Sequence, residues 1–159
     1  MTADILFATA EVAIALAGFS AIVAIFKRNS EGMWQKQDAD RFNGMVLHAV
    51  SAVVFSFLPY LLNVIIQDVV TAIHFSSVML GVQLVGHSLI VIRLGTTSRG
   101  GSYAMGAFGV LVGLLQLTVF TDWAAHREMD IYLAGIIWHI LQAGLLFILL
   151  IWIPKSRIE

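Results

Sequence analysis

The chain contains no cysteine. Disulfides, zinc–thiolate sites, iron–sulfur clusters and thiol catalysis are excluded together. Charge is scarce as well. Asp, Glu, Lys and Arg make up 12% of the 159 residues, about half the share of an average soluble chain. Too few charges remain to cover a water-facing surface. Neither sign dominates: the formal net charge is -1, so no basic face exists for nucleic acid. Disorder needs low hydrophobicity and high net charge, and this chain has neither.

What is present is apolar. Hydrophobic residues account for 59% of the chain, and the mean hydropathy is +0.89. A helix needs about 20 apolar residues to cross the hydrocarbon core of a membrane. Five runs meet or approach that length: 5–26, 42–66, 69–92, 103–120 and 131–153. The expected fold is therefore all-α, an integral membrane bundle of five transmembrane helices forming one domain over 1–159. The connections between runs are short, and no repeat or low-complexity tract interrupts them.

Lys and Arg placement sets the expected threading. With the N-terminus outside and the C-terminus cytoplasmic, Lys27, Arg28, Lys36, Arg41, Arg93, Arg99, Lys155 and Arg157 all fall inside, and only Arg127 falls outside. A four-span threading would split the basic clusters between the two sides. Trp34, Tyr103 and Trp152 then lie near the inner interface, and Tyr60, Trp123 and Tyr132 near the outer one, where amphipathic rings are favoured. The first run is not read as a cleavable signal, because its Lys-Arg pair follows the apolar stretch. The expected location is a bacterial inner membrane.

Local signals refine this picture. Only Gln67 and Asp68 separate the second and third runs, with Asp68 placed to cap the third helix. Asp38 and Arg41, at i,i+3, and Lys36 and Asp40, at i,i+4, can pair on a helix that starts before the second run enters lipid. Asp122 is placed to cap a short helix in the 121–130 connection. Pro59 should kink the second helix and release a backbone carbonyl near Phe55. The first run is rich in Ala, Gly, Ser and Thr on more than one face, which predicts a central helix. Ser77 and Gly81, and Gly109 and Gly113 with Gly106 nearby, have the small-xxx-small spacing of close helix contacts. Packing within the chain and contact between subunits both use that spacing.

Ionisable groups inside a span are costly, and function is the usual reason for keeping them. By depth, Glu11, His74, Gln116 and His139 form an expected outer layer, with Tyr60 at a similar level. His48, His87 and Ser20 form an inner layer, with Gln83 slightly deeper and Gln142 near the middle. Glu11 lies about 9 Å into its helix, from six residues at 1.5 Å each. It shares a face with Asp4, Ala8, Ala15 and Gly18.

Three functions follow. The first is a small homo-oligomeric channel or carrier, with Glu11, His74, His139 and Gln116 as its cation or proton site. The second is a non-enzymatic accessory or assembly subunit of a larger membrane complex, whose polar groups only secure packing. The third is a b-type haem electron carrier with His48/His87 and His74/His139 as axial pairs. Gly44 and Gly135, each four residues before a histidine, would leave room for the macrocycle; otherwise no cofactor is expected. No catalytic motif is present, so no enzyme activity is expected. His126, Glu128 and Asp130 read as solvated loop residues and not as a metal site. The expected partners are the lipid bilayer and either further copies of the chain or subunits of a complex.

Overall fold

The computed structural model describes residues 2–31, 36–94, 99–124 and 126–152. Five helices carry the chain: α1 (Thr2–Glu31), α2 (Lys36–Ile66), α3 (Val69–Leu94), α4 (Arg99–Leu117) and α5 (Glu128–Ile151). All five are long and apolar enough to cross a membrane. The protein is a multi-pass helical membrane protein. The 30 residues of α1 and 31 of α2 exceed what a bilayer core of about 30 Å requires, so both helices project from it. α2 starts at Lys36, ahead of its apolar run. At that start Arg41 pairs with Asp38 at 3.4 Å and also donates to the carbonyl of Leu149 at 3.0 Å. Trp34, Lys155 and Arg157 lie outside the described residues.

The reversal between α2 and α3 needs no glycine. Gln67 takes the left-handed conformation, with φ of 57°. Its N–H donates to the carbonyl of Asn63 at 2.9 Å, closing the helix end. Asp68 then caps α3 by accepting the Thr71 N–H at 3.2 Å and the Thr71 hydroxyl. The Thr71 hydroxyl, then its N–H, hold the Asp68 carboxyl below the usual carboxylate range. The α4–α5 connection holds the short helix expected there only as a 3-10 turn. It consists of two single 3-10 turns, Thr118–Phe120 and Asp122–Ala124, followed by His126 at positive φ. The Asp122 side chain lies outside the described residues, and so does its expected capping role.

α5 packs against all four other helices, while α1 touches mainly α2 and α5, and α4 mainly α3 and α5. This corrects the central placing of α1. Only 22% of its spanning window is buried, against 39% for α5. Ala10, Ala13, Ser20 and Ala24 face the bundle, but Ala8, Glu11, Ala15 and Gly18 face outward. A small-residue helix offers close approach on several sides, and here the chain uses one of them.

The small-residue spacing on α3 and α4 is consumed within the chain. A Cβ on Gly81 would stand 2.8 Å from the carbonyl oxygen of Gly113, and one on Gly113 would stand 3.0 Å from that of Gly81. The two backbones therefore meet directly, which is how helices gain contact in lipid without a hydrophobic driving force. Polar links add to the packing. The Thr9 and Ser56 hydroxyls join α1 to α2 at 3.0 Å. The Tyr132 hydroxyl donates to the Phe55 carbonyl. Tyr132 is fully buried and does not sit in an interfacial belt. Tyr60, Tyr103, Trp123 and Trp152 are exposed, as belt residues are.

A buried histidine chain as candidate functional site

Three helices each bring one histidine to the same level. His48 comes from α2, His87 from α3 and His139 from α5. Two apolar clusters enclose the level. Leu6, Ala52, Phe55, Leu80 and Ile136 belong to the cluster toward the Asp68 end. Met45, Ala49, Ala143 and Leu146 belong to the one toward the Arg41 end. His48 sits between Met45 and Ala52 in its helix, and His139 between Ile136 and Ala143. Both are buried, and His87 is half-buried.

The side chains are joined. His48 Nδ1 and His139 Nδ1 are 2.9 Å apart. His139 Nε2 is 2.9 Å from the Gln83 carbonyl oxygen, and the Gln83 amide donates to the Ser51 hydroxyl at 3.3 Å. The His87 ring meets the His48 ring edge-on, with centroids 4.5 Å apart. The Phe55 ring lies parallel to that of His139, at 6.3 Å. With the Gln83 amide turned this way, only one proton arrangement serves neutral rings. His139 carries its proton on Nε2 and donates to Gln83 Oε1. His139 Nδ1 is then bare and accepts from His48 Nδ1–H, which leaves His48 Nε2 without a proton. Turning the Gln83 amide over reverses every donor and acceptor in the row and satisfies the same atoms. The row therefore has two complete, oppositely directed states.

The structure separates the residues expected in the outer layer. Glu11 is exposed on α1, beside Ala8, Ala15 and Gly18, with no polar partner among the described residues. His139 lies in the histidine chain instead. α5 begins at Glu128, so His139 is about 16 Å along it, deeper than its position in the apolar run implied. Gln116 is fully buried and donates to the Ile131 carbonyl at 2.7 Å. His74 packs its ring edge against Phe120, with centroids 5.2 Å apart. Glu11, His74, His139 and Gln116 thus form no single site.

His48 and His87 do come together, yet the residues do not fit a haem. Axial imidazoles must stand apart by the thickness of the macrocycle, whereas these rings touch, and His48 Nδ1 is taken by His139. His74 meets Phe120 and not His139. The spaces beside the two glycines are filled. A Cβ on Gly44 would meet Leu146 at 3.1 Å, and one on Gly135 would meet Leu80 at 2.6 Å and Gln116 at 2.9 Å. Among the described residues no three His, Asp or Glu side chains are arranged to hold a metal ion.

Ser51 was absent from the sequence expectations, and Gln83 was present only as a depth marker. Their signal is helical spacing. Ser51 follows His48 by three residues and Gln83 precedes His87 by four, so each pair shares a helix face. Compared with protein families, curated proteins and solved structures, the chain matches none.

Proposed function

We propose that the protein is a small carrier or channel of a bacterial inner membrane that moves protons, with His48, His139 and Gln83 as the transfer row and His87 beside it. The observation that carries this reading is the 2.9 Å contact between His48 Nδ1 and His139 Nδ1. Two imidazoles at that distance share one proton, and rows of intramembrane ionisable groups serve as proton relays. A proton taken up at the bare His48 Nε2 can be answered by passage of the Nδ1 proton to His139, which then holds both ring protons as a cation hydrogen-bonded to Gln83 Oε1. His87 and Gln83 are half-buried, so the group reaches toward the bundle surface through them. The threading proposed with it is N-terminus out and C-terminus in, supported by the gathering of Lys and Arg at the Arg41 end.

The working unit proposed is a homo-oligomer. Support comes from the outward face of α1, where a carboxyl stands among Ala8, Ala15 and Gly18 at a depth where water is scarce. A carboxyl held there needs a polar partner, and a second copy of the chain can supply one across a two-fold axis.

The test is proton flux into vesicles of purified protein under an imposed potential, read by an enclosed pH dye. His139→Leu and His48→Leu are expected to abolish the flux while the protein stays folded. Flux equal to the unsubstituted protein in both variants overturns the reading. An accessory subunit is the second reading, and one observation favours it. The histidine row is closed between two apolar clusters, and a cleft of about 160 Å3 lies elsewhere, lined by Leu6, Ser56, Pro59, Tyr60 and Asn63. On that reading purification in mild detergent recovers a stoichiometric partner protein and vesicles carry no flux.

A further inference from the structure

We infer that His74, Ser77 and Gln116 form a second polar site, between α3 and α4, which holds a water molecule, and that Leu80 is the apolar barrier between that water and the histidine row. The first half stands on packing alone; the barrier role rests on the proposed proton function.

Among the described residues, three buried atoms on this interface have no hydrogen-bond partner: His74 Nε2, Ser77 Oγ and Gln116 Oε1. Ser77 and Gln116 are fully buried. Nearly all buried polar groups in folded proteins are partnered, and a buried water supplies the partner where protein does not. The three atoms share one stretch of the helix pair. His74, Ser77 and Gly81 lie on one face of α3, at i, i+3 and i+7. The His74 ring contacts Phe120, and a Cβ on Gly81 would stand 3.0 Å from the Gln116 Cβ. Ser77 sits between those two contacts and so lies opposite the helical turn from Gln116 to Phe120. The Gln116 amide nitrogen is committed to the Ile131 carbonyl on the α5 side, which turns its oxygen away from α5.

The donor set identifies the guest. Gln116 Oε1 only accepts, Ser77 Oγ does both, and His74 Nε2 does either according to tautomer. A water donates to Gln116, donates to or accepts from His74, and completes a third bond with Ser77. Three bonds is the usual number for a buried water. A metal ion would find one amide oxygen, one hydroxyl and one imidazole here, and among the described residues no three His, Asp or Glu side chains gather to hold one.

Leu80 lies at the boundary. It is fully buried. A Cβ on Gly135 would meet both the Leu80 side chain at 2.6 Å and the Gln116 amide at 2.9 Å. Gly135 is one turn from His139, and Leu80 is three residues from Gln83. The isobutyl group thus occupies the notch between the two polar groups.

Water-edited solid-state NMR on labelled protein in liposomes tests the site without reference to activity. Rapid magnetisation transfer from water to the His74 ring and Ser77 Cβ is expected, and it should fall several-fold in Gln116→Met. Absent transfer in the unsubstituted protein, or transfer unchanged in Gln116→Met, overturns the site. Vesicle flux tests the barrier. Leu80→Asn is expected to raise proton flux by about tenfold, the scale of one added hydrogen bond, with Leu80→Met as the folded reference. Leu80→Thr serves in its place if the Asn variant does not fold. Unchanged flux in a folded polar variant overturns the barrier. Flux absent from every protein, with the water signal intact, removes the proton reading and its barrier and leaves the water site standing.

Discussion

The Tyr132 hydroxyl on α5 donates to the Phe55 carbonyl on α2, the carbonyl that Pro59, four residues on, cannot bond. Proline lacks the N–H that would close this helical turn. A side chain from a neighbouring helix takes its place, as broken backbone inside a membrane requires. Tyr132→Phe leaves that carbonyl bare and is expected to cost about 1–3 kcal/mol. Pro59→Ala restores a backbone donor, so Tyr132→Phe should cost less in that background. Thermal unfolding in detergent of the two single variants and the double variant measures the coupling; additive losses contradict it.

Glycine substitutions should divide by position. Gly81→Ala and Gly113→Ala each force a Cβ against backbone carbonyl at 2.8–3.0 Å, so α3 and α4 must move apart. Overpacking of this kind costs about 1–3 kcal/mol. Gly86→Ala and Gly144→Ala meet nothing within 4 Å and gain about 0.5–1 kcal/mol from helix propensity. The same unfolding assay ranks all four, and equal effects at Gly86 and Gly81 contradict the packing described.

The cap of α3 should depend on pH with a defined sign. The Thr71 hydroxyl and N–H keep the Asp68 carboxyl lower in the folded protein than in an unfolded chain. Its contribution is therefore complete above the ordinary carboxylate range and fades as pH falls through the lowered folded value. Amide exchange at Thr71, corrected for the intrinsic pH effect, should accelerate on acidification. In Asp68→Asn, which keeps an acceptor that does not titrate, the corrected rate should stay flat.

The outward carboxyl of α1 makes a claim about assembly. Glu11→Leu is expected to shift the protein from oligomer toward monomer in mild detergent, read by particle mass. Glu11→Gln keeps both a donor and an acceptor and should retain the oligomer. A monomeric unsubstituted protein, or an oligomer unaffected by Glu11→Leu, contradicts the claim.

Much of the scaffold was legible in the sequence. The lengths of the apolar runs placed the helices, and the Gln67–Asp68 reversal fell where it was expected. Helix existence depends on local composition, which a single chain displays. The site was less legible because depth and rotation depend on packing. The small-residue stripe beside Glu11 does not fix its direction, because such stripes occur on both faces of α1 and only one is buried. The apolar run from 131 understates the depth of His139, because α5 starts at Glu128, three residues earlier. The joining of His48, His87 and His139 needs three helices in register, and no spacing within one helix records that.

The most direct test of the histidine row is nitrogen-15 solid-state NMR of the protein in liposomes at neutral pH. A through-hydrogen-bond coupling between His48 Nδ1 and His139 Nδ1 is expected, with one of the two nitrogens protonated and the other bare. Two protonated Nδ1 atoms with no coupling between them would contradict the row and the proton transfer drawn from it.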